Sequence, residues 1–225
     1  MEHLQRYYRR QSLIYDVTRW AFLFGRARLL AEAAKIQPLP WHVLEIGCGT
    51  GYNLIRLARL FPAAQITGVD LSDDMLAIAE KKTARFRQRV VLERRVQHGG
   101  LLASYDLVVL SYSLSMMNPG WDQVLTGAVN GLEPHGILAV VDFHESALRL
   151  FQGHMACHHV RMDAHLLPAL ATLCQTEIRH VQGAYGGLWK YFLFIGRKMS
   201  GAAQPCGAHS PSPRMRVLPP PANPA

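Results

Sequence analysis

The stretch of sequence that decides the fold is VLEIGCGTGYN, at residues 43–53. It begins with a short apolar run that predicts a buried parallel strand, and the overlapping TGYNLIRLARLF predicts a helix. Between them an E-x-G-x-G-x-G turn is formed by Glu45, Gly47, Gly49 and Gly51. Glycines let the backbone turn tightly and let a ligand approach it closely, and the start of a helix presents free N–H groups. The strand, turn and helix therefore predict a binding site for a nucleotide-like ligand.

Strand-like and helix-like segments alternate regularly along the rest of the central region. The later predicted strands are 65–70, 90–96, 105–114, 136–143, 176–181 and 188–196, and the predicted helices between them are 73–85, 121–132 and 166–173. Such alternation requires crossover connections and predicts a doubly wound α/β fold with a mostly parallel sheet. The last two strands are joined by a short GAYGG link, which favours an antiparallel final pair.

The two ends of the chain differ from this central domain, which we place at residues 37–199. Apolar residues recur at near-helical spacing over residues 4–35, and two prolines then end the pattern, so residues 1–36 are predicted to form a helical extension. Residues 200–225 are rich in Pro, Ala and Ser. They cannot bury a core and are predicted to be a disordered tail.

The composition is typical of a globular protein, with 49% hydrophobic and 18% charged residues. No run approaches the roughly 18 apolar residues that a membrane-spanning helix needs, and the basic N-terminus lacks the apolar core of a secretory signal. We therefore expect a cytoplasmic protein with free cysteine thiols. The net charge of +8 suits an acidic substrate, an anionic membrane surface or nucleic acid, and about half of it lies within residues 1–35.

Asp70 ends the second predicted strand, 19 residues after Gly51. A carboxylate at this place and distance can accept hydrogen bonds from both hydroxyls of a ribose. The nearest alternative is the dinucleotide-binding pattern G-x-G-x-x-G, which would indicate a dehydrogenase. The sequence departs from it because its third glycine comes one residue early and because Glu45 would repel a pyrophosphate. An acidic residue before the turn favours a ligand that carries an ammonium or sulfonium group.

Four segments resemble, in the same order, the successive motifs of class I S-adenosylmethionine-dependent methyltransferases. They are Glu45–Asn53, GVDLS at 68–72, YDLVVLSYSL at 105–114 and LEPHGILAVVDF at 132–143. The resemblance implies a seven-stranded Rossmann-like sheet with an antiparallel last strand, and S-adenosylmethionine as the methyl donor. The cofactor-binding residues that it implies in the turn are Glu45, Gly47, Cys48, Gly49, Thr50, Gly51 and Asn53, with the three glycines and Cys48 lining the methionine moiety. Beyond the turn, it implies Asp70 at the ribose, Leu71 and Met75 at the adenine, and Ser111 near the amino-acid end.

Few catalytic residues are expected on the acceptor side, because methyl transfer mainly requires donor and acceptor to be aligned and water to be excluded. An amine acceptor must be neutral when it attacks, so a nearby base would take its proton. The candidates for that base are Tyr15, Tyr112, Asp142 and His144. Three of them also have a structural interpretation, since Tyr112 could be a core residue and Asp142 or His144 could simply end the fifth strand.

The stretch HMACHHVRMDAH, at residues 154–165, contains closely spaced histidines, a composition that can indicate a metal site. They are His154, His158, His159 and His165. The spacing lacks HExxH and any cysteine pair, so we expect no bound metal and interpret the stretch as a structural or substrate-facing helix. Arg161 within it could bind an acceptor carboxylate, or it could be an ordinary exposed arginine.

A narrower resemblance concerns the segments YYRRQSLIYDVTRWAFLFGRARLL, SYSLSMMNPGW and VDFHES. They are similar to the methyltransferases that convert diacylglycerylhomoserine to betaine lipid, and to phospholipid and ubiquinone-pathway methyltransferases. This similarity implies that the acceptor is the amine of a lipid head group. It also implies that residues 1–36 form a lid over the cofactor. The basic and aromatic residues of this segment would allow it to lie on an anionic membrane surface, on the inner face of the membrane, and the alternative is a solvated helix that packs its apolar stripe on the sheet.

Other functions stay open at this point. The same fold supports O- or C-methylation of a quinone or another small molecule, because acceptor choice depends on loops. A regulatory protein that binds S-adenosylmethionine without turnover is a further alternative. Nucleic acid is not an expected partner, because SYSLS follows the fourth strand where a nucleic-acid methyltransferase would have an NPPY-like or DPPY-like motif.

Overall fold

The protein folds around one seven-stranded sheet, which a computed structural model describes together with its flanking helices for residues 23–94, 104–157 and 159–199. The strands are β1 His42–Ile46, β2 Gln65–Asp70, β3 Val90–Arg94, β4 Tyr105–Ser111, β5 Leu132–Glu145, β6 Cys174–Ala184 and β7 Trp189–Lys198. Their spatial order is β3-β2-β1-β4-β5-β7-β6. β7 is antiparallel to both of its neighbours, and the other paired strands are parallel. The predicted doubly wound α/β fold with an antiparallel last strand is therefore confirmed.

Helices lie between the strands and on both faces of the sheet. Those in the described ranges are α1 Arg26–Ile36, α2 Tyr52–Leu60, α3 Asp73–Thr83, α4 Trp121–Asn130, α5 Arg149–Cys157 and α6 Leu166–Leu173. α3 begins after a capping residue, Ser72, whose Oγ accepts a hydrogen bond from the Met75 N–H at 3.4 Å. Among the residues with described structure, no helix combines the length and hydropathy needed to cross a bilayer.

The core consists of two apolar clusters, one on each face of the sheet. The cluster on one face includes Leu29 of α1 and Leu54 of α2, and the cluster on the other face includes Leu125 of α4. Val43 and Leu44 of β1 are both fully buried and belong to opposite clusters. β1 is therefore covered on both faces, which explains why its sequence is a continuous apolar run instead of an alternating one.

The helix predicted over residues 4–35 is confirmed for residues 26–35, which lie in α1, but Phe24 and Gly25 form a turn ahead of it. Gly25 has a φ of 78°, and a Cβ placed on it would lie 2.8 Å from Cε2 of Tyr191. The chain turns here against β7, a long-range contact that helical spacing does not reveal. Residues 1–22, with the candidate base Tyr15, lie outside the described residues, as do residues 200–225, and the division of the chain into three regions stays a prediction.

Three other boundaries differ from the predictions. β5 begins at Leu132 instead of residue 136, because Leu132 already pairs with Tyr105 ahead of an irregularity in the ladder. β6 is almost twice as long as predicted, because it is an edge strand whose exposed side chains give no apolar alternation. The histidine-rich stretch is helical only as far as Cys157, and Asp163 beyond it forms a β-bridge with Glu145.

Arg89 satisfies the carbonyl groups at the C-terminal end of α2. Its guanidinium donates hydrogen bonds to the carbonyls of Ala58, Phe61 and Ala64, at 3.0, 3.2 and 3.3 Å. We expect Arg89→Met to lower the free energy of unfolding by about 2 kcal/mol, because these carbonyls lose a charged donor. Urea unfolding followed by circular dichroism would measure the change, with the exposed neighbour Arg87→Met as control. A loss no larger than that of the control would contradict this role.

Candidate functional site

The glycine turn after β1 is fixed against the end of β2. The N–H groups of Gly47 and Cys48 both donate to the carbonyl of Val69, at 2.9 and 3.0 Å. Gly47 has a φ of 74°, and a Cβ placed on it would lie 2.7 Å from Cβ of Ser113. A side chain at this position would be strained and would displace the segment after β4. The turn therefore needs glycine both for its conformation and for its close approach to Ser113.

Asp70 presents its carboxylate at the end of β2, directly beside the glycine turn. Its Oδ2 accepts a hydrogen bond from the Gly49 N–H at 2.8 Å, and its Oδ1 accepts one from the Ser72 N–H at 3.0 Å. The two backbone donors set the orientation of the carboxylate. A carboxylate oxygen has two lone pairs, so each can accept a second hydrogen bond from a ligand hydroxyl.

Glu45 and Asn53 form a buried polar pair on the other side of the turn. Glu45 is only 1% exposed, and its Oε1 accepts a hydrogen bond from Asn53 Nδ2 at 2.7 Å. Oδ1 of Asn53 is buried and has no hydrogen-bond partner among the described residues. A buried carboxylate and an amide oxygen that can still accept a hydrogen bond together favour a ligand with a cationic N–H donor.

Six of the predicted cofactor-binding residues come together in one cleft of about 680 Å³ that is partly open to solvent. They are Glu45, Gly47, Cys48, Thr50, Asn53 and Ser111. Four residues that the sequence analysis did not identify line the same cleft, namely Leu23, Arg26, Tyr52 and Lys82. The Arg26 guanidinium lies 4.1 Å from the centroid of the Tyr52 ring. Tyr52 lies within the motif Glu45–Asn53, and Leu23 and Arg26 lie within the N-terminal segment of the narrower resemblance. No pattern assigns these residues or Lys82 to the cleft, because they come together only once the chain is folded.

The other predicted cofactor-binding residues lie outside the lining of the cleft. Gly49 is joined to Asp70 by the hydrogen bond described above, and Leu71 follows Asp70 with its side chain 56% exposed. An exposed apolar side chain next to the expected ribose position is compatible with a contact to adenine. The contacts of Leu71 and Met75 with adenine, and the role of Gly51 at the methionine moiety, stay predictions.

The residues present fit S-adenosylmethionine. The amino-acid end of that molecule carries an ammonium and a carboxylate. In the cleft, the buried pair Glu45 and Asn53 could bind the ammonium, and the cations Arg26 and Lys82 could bind the carboxylate. Asp70 would hold the ribose. The fit therefore rests on two observations: the buried Oδ1 of Asn53 has no hydrogen-bond partner among the described residues, and one cleft contains both acidic and basic side chains.

Tyr112, a candidate base, links β4 to the turn that precedes α1. It is buried, and its hydroxyl donates a hydrogen bond to the carbonyl of Phe24 at 2.8 Å. Its N–H donates to the carbonyl of Val141 at 2.8 Å, and its ring meets the Phe143 ring edge-on at a centroid distance of 4.7 Å. Burial, followed by the charge of Asp142, raises the pKa of Tyr112 well above its usual value. The hydroxyl therefore stays protonated, and its role as a catalytic base stays a prediction.

Asp142 and His144 lie among the last four residues of β5, which agrees with the interpretation that they end this strand. Asp142 is 0% exposed, and its Oδ1 accepts a hydrogen bond from the Phe143 N–H at 2.8 Å. Burial raises the pKa of Asp142 to about 6. His144 is half-buried with its ring edge-on to Phe192, and burial lowers its pKa. Neither residue lines the cleft.

We expect Tyr112→Phe to weaken binding of S-adenosylhomocysteine about fivefold, the effect of losing roughly 1 kcal/mol. Without the hydroxyl, the carbonyl of Phe24 loses its donor, and the adjoining cleft residues Leu23 and Arg26 become less firmly placed. Titration calorimetry would measure the affinity. Tyr191→Phe is the matched control, since it removes a hydroxyl that donates to Gln182 Oε1 at 2.7 Å. Equal effects of the two substitutions would contradict a role specific to Tyr112.

The histidine-rich stretch does not assemble ligands for a metal within the described residues, where no group of three or more His, Cys, Asp or Glu is suitably placed. Arg161 instead pairs with Asp163, with Nε and Oδ2 2.6 Å apart. Asp163 also bonds the ring of His165, which packs edge-on against Trp121. The role of Arg161 in binding an acceptor carboxylate stays a prediction.

Comparison with known proteins agrees with this geometry. A family described as "Methyltransferase domain" matches residues 44–138, from β1 into β5. The malonyl-[acyl-carrier protein] O-methyltransferase of Magnetococcus marinus is 30% identical over 200 residues, which cover 81% of this chain and 71% of that protein. The corresponding enzyme of Bacillus cereus is 34% identical over 121 residues, and trans-aconitate 2-methyltransferase of Rhodopseudomonas palustris is 35% identical over 101 residues. These last two matches cover 52% and 45% of this chain but only 41% and 38% of the relatives.

Solved structures give the same fold. The N-methyltransferase NodS from Bradyrhizobium japonicum WM9, in complex with S-adenosylhomocysteine, matches with a TM-score of 0.66 and 17% identity. The match covers 78% of this chain and 86% of that chain. The sheet and the cleft thus define a Rossmann-like methyltransferase, a class whose cofactor is S-adenosylmethionine. Together with the Magnetococcus relative, they establish that the chain belongs to the S-adenosylmethionine-dependent methyltransferases.

Proposed function

We propose that the protein transfers the methyl group of S-adenosylmethionine to a small-molecule acceptor or to a small group carried on a larger molecule. The observation that carries the proposal is the cleft, in which the Glu45 and Asn53 pair faces the same space as Arg26 and Lys82. Asp70 lies beside it, held by two backbone N–H groups. This arrangement supplies partners for the ammonium, the carboxylate and the ribose of the donor.

The chain's own contribution is binding and alignment. The donor supplies an electrophilic methyl group on a sulfonium, and transfer is an in-line displacement that gains most from proximity and from exclusion of water. Glu45 and Asn53 would fix the ammonium, Arg26 and Lys82 the carboxylate, and Asp70 the sugar. Holding the donor at both ends directs its methyl group toward the acceptor.

Our preferred acceptor is an ionised carboxylate, which would be converted to a methyl ester. A carboxylate is already deprotonated at neutral pH, so it needs no catalytic base. Two of the candidate bases are poorly suited to accept a proton from an acceptor. Asp142 is fully buried, and the Tyr112 hydroxyl donates a hydrogen bond to the Phe24 carbonyl. The names of the relatives support the same class, because malonyl and trans-aconitate groups both carry free carboxylates.

The second candidate is the amine of a lipid head group such as diacylglycerylhomoserine. Its support is the resemblance of SYSLSMMNPGW and VDFHES to betaine lipid N-methyltransferases. These two segments meet in the fold, where the Ser115 N–H donates to Asp142 Oδ2 at 3.1 Å. A lipid acceptor would bring the protein to the surface of an anionic membrane on its cytoplasmic face.

Incubation with methyl-labelled S-adenosylmethionine separates these candidates. One arm supplies malonyl thioesters and di- and tricarboxylic acids, a second supplies aminolipids in vesicles, and a third supplies quinols. Mild base releases the label from a methyl ester as volatile methanol, but it leaves an N-methyl or C-methyl label in place. Base-resistant label in the aminolipids of the vesicle arm would replace the carboxylate proposal with the amine, and base-resistant label in the quinol arm would replace it with O- or C-methylation of a quinone.

The same preparation tests the proposal as a whole. Titration calorimetry with S-adenosylmethionine and S-adenosylhomocysteine should show saturable binding to one site. Binding without transfer to any acceptor pool would favour a regulatory S-adenosylmethionine-binding protein. Absence of binding would overturn the proposed function.

A further inference from the structure

Asp142 is a buried residue that has no role in the proposed methyl transfer, because a carboxylate acceptor needs no catalytic base. It lies near the C-terminal end of β5, it is 0% exposed, and it does not line the donor cleft. Burial of a charged group is costly unless hydrogen bonds compensate for it. Its hydrogen-bond donors therefore indicate what the carboxylate does.

One of these donors belongs to the serine turn, which we define as residues 112–117 between β4 and α4. Asp142 Oδ2 accepts a hydrogen bond from the Ser115 N–H at 3.1 Å. On the other side of the same residue, the Ser115 carbonyl accepts hydrogen bonds from Asn118 Nδ2 at 2.6 Å and from the Arg161 N–H at 2.9 Å. Ser115 is thus fixed by two distant segments, through Asp142 and Arg161, and by Asn118, which directly follows the serine turn.

The serine turn forms part of the support of the donor cleft. A Cβ on Gly47 would lie 2.7 Å from Ser113 Cβ and 3.7 Å from Met117 Cε, so the serine turn packs directly on the glycine turn. Ser111, which precedes the serine turn, lines the cleft itself. A shift of the serine turn would therefore move both the glycine backbone and one wall of the donor site.

We infer that Asp142 is a positioning residue, whose ionised carboxylate holds the serine turn against the glycine turn and thereby sets the affinity of the cleft for the methyl donor. The inference rests on the proposed function. A proton on Asp142 would remove the negative charge that strengthens the hydrogen bond from the Ser115 N–H, and would thereby loosen the serine turn. Donor affinity should then fall as the pH drops through the pKa of this carboxyl.

The pKa of Asp142 is raised to about 6 by burial, opposed by its hydrogen bonds to Ser115, Phe143 and Leu114. On β7 the residue opposite Asp142 is Phe192, which does not titrate. Among the titratable or charged groups nearby, Tyr112 in the serine turn senses the charge of Asp142. His144 and Glu145 follow Asp142 on β5. The Arg161 N–H bonds the Ser115 carbonyl, and the Arg161 side chain is paired with Asp163. Tyr112 stays neutral over the range in question because burial raises its pKa well above 10.

Calorimetric titration of the full chain with S-adenosylhomocysteine between pH 8 and pH 5 tests the inference. For the wild-type protein, the dissociation constant should rise by up to about tenfold, with its midpoint near the pKa of about 6. Asp142→Asn should bind about tenfold more weakly already at pH 8 and should show no step. Its thermal midpoint should stay within about 5 °C of the wild type, because the change also removes a buried charge.

Two further variants keep the test decisive. Glu145→Gln, on the same strand and exposed in a pair with Lys190, should retain the wild-type profile. Asn118→Ala removes the other side chain that bonds Ser115, so it should weaken donor binding at pH 8 while the pH step remains. This variant replaces Asp142→Asn as the test of the serine turn if Asp142→Asn does not fold. A flat wild-type profile with unchanged circular dichroism, or wild-type affinity in both Asp142→Asn and Asn118→Ala, would overturn the inference. Lack of any binding at pH 8 would instead overturn the proposed function.

Discussion

Replacing Asp70 with alanine should weaken binding of S-adenosylmethionine at least about 100-fold and remove methyl transfer at ordinary donor concentrations. The carboxylate ends β2 and is oriented by the N–H groups of Gly49 and Ser72, at 2.8 and 3.0 Å. Two ribose hydroxyls would each donate to it. Hydrogen bonds to a charged group contribute about 1.5–3 kcal/mol each, so losing two of them accounts for the expected factor.

Asp73→Ala is the matched control for this experiment. Asp73 is an exposed carboxylate three residues later, and its Oδ2 lies 3.0 Å from Arg94 Nη1 in a surface ion pair, which contributes little to stability. Its removal should leave donor affinity within about twofold of the wild type. Titration calorimetry gives both values, and circular dichroism establishes that each variant is folded. Equal affinities for Asp70→Ala and Asp73→Ala would refute the assignment of Asp70 to the ribose.

The second large effect is expected for Gly47→Ala. The new methyl group would lie 2.7 Å from Ser113 Cβ, and the backbone would have to keep a φ of 74° that alanine disfavours. The strained φ costs about 1–2 kcal/mol, and displacement of the serine turn adds a further penalty of about 1–3 kcal/mol. Because a displacement of about 1 Å in a binding site can reduce function about 100-fold, donor binding should fall by about that factor.

A helical glycine supplies the control for Gly47. Gly153 lies within α5, and a Cβ placed on it would meet nothing within 4 Å. Gly153→Ala should raise the free energy of unfolding by up to about 1 kcal/mol, since alanine favours the helix, and should leave donor binding unchanged. Urea unfolding and calorimetry measure the two quantities. Wild-type donor affinity in Gly47→Ala would show that the close contact with Ser113 is not needed for binding.

The parts of the site that the sequence reveals are those set by local chemistry. Gly47 is identifiable because a tight turn with a positive φ strongly favours glycine. Asp70 is identifiable because the end of the second strand lies next to the first turn in any parallel sheet of this type. Ser72 is identifiable because a helix needs a cap. Each of these inferences needs only a short segment and one general rule.

The remaining parts depend on packing between distant segments. Arg26 and Lys82 reach the cleft from α1 and α3, and neither carries a local pattern that distinguishes it from the other basic residues of the chain. The turn at Gly25 ahead of α1 packs against the ring of Tyr191, more than 160 residues away in the sequence. The enclosure of Asp142 depends on the simultaneous pairing of β5 with β4 and β7.

The position of β7 inside the sheet has a consequence for biosynthesis. β7 is inserted between β5 and β6 although it follows both in the chain, and it pairs with β5 from Ile137 through Glu145. While the chain is being translated, the backbone of β5 therefore lacks its neighbour until residues 189–198 have left the ribosome. An unpaired, strongly apolar edge invites association between nascent chains. Slow translation or truncation ahead of Trp189 would prolong that exposure, so the yield of this protein should depend on chaperones that shield the edge until the final strand arrives.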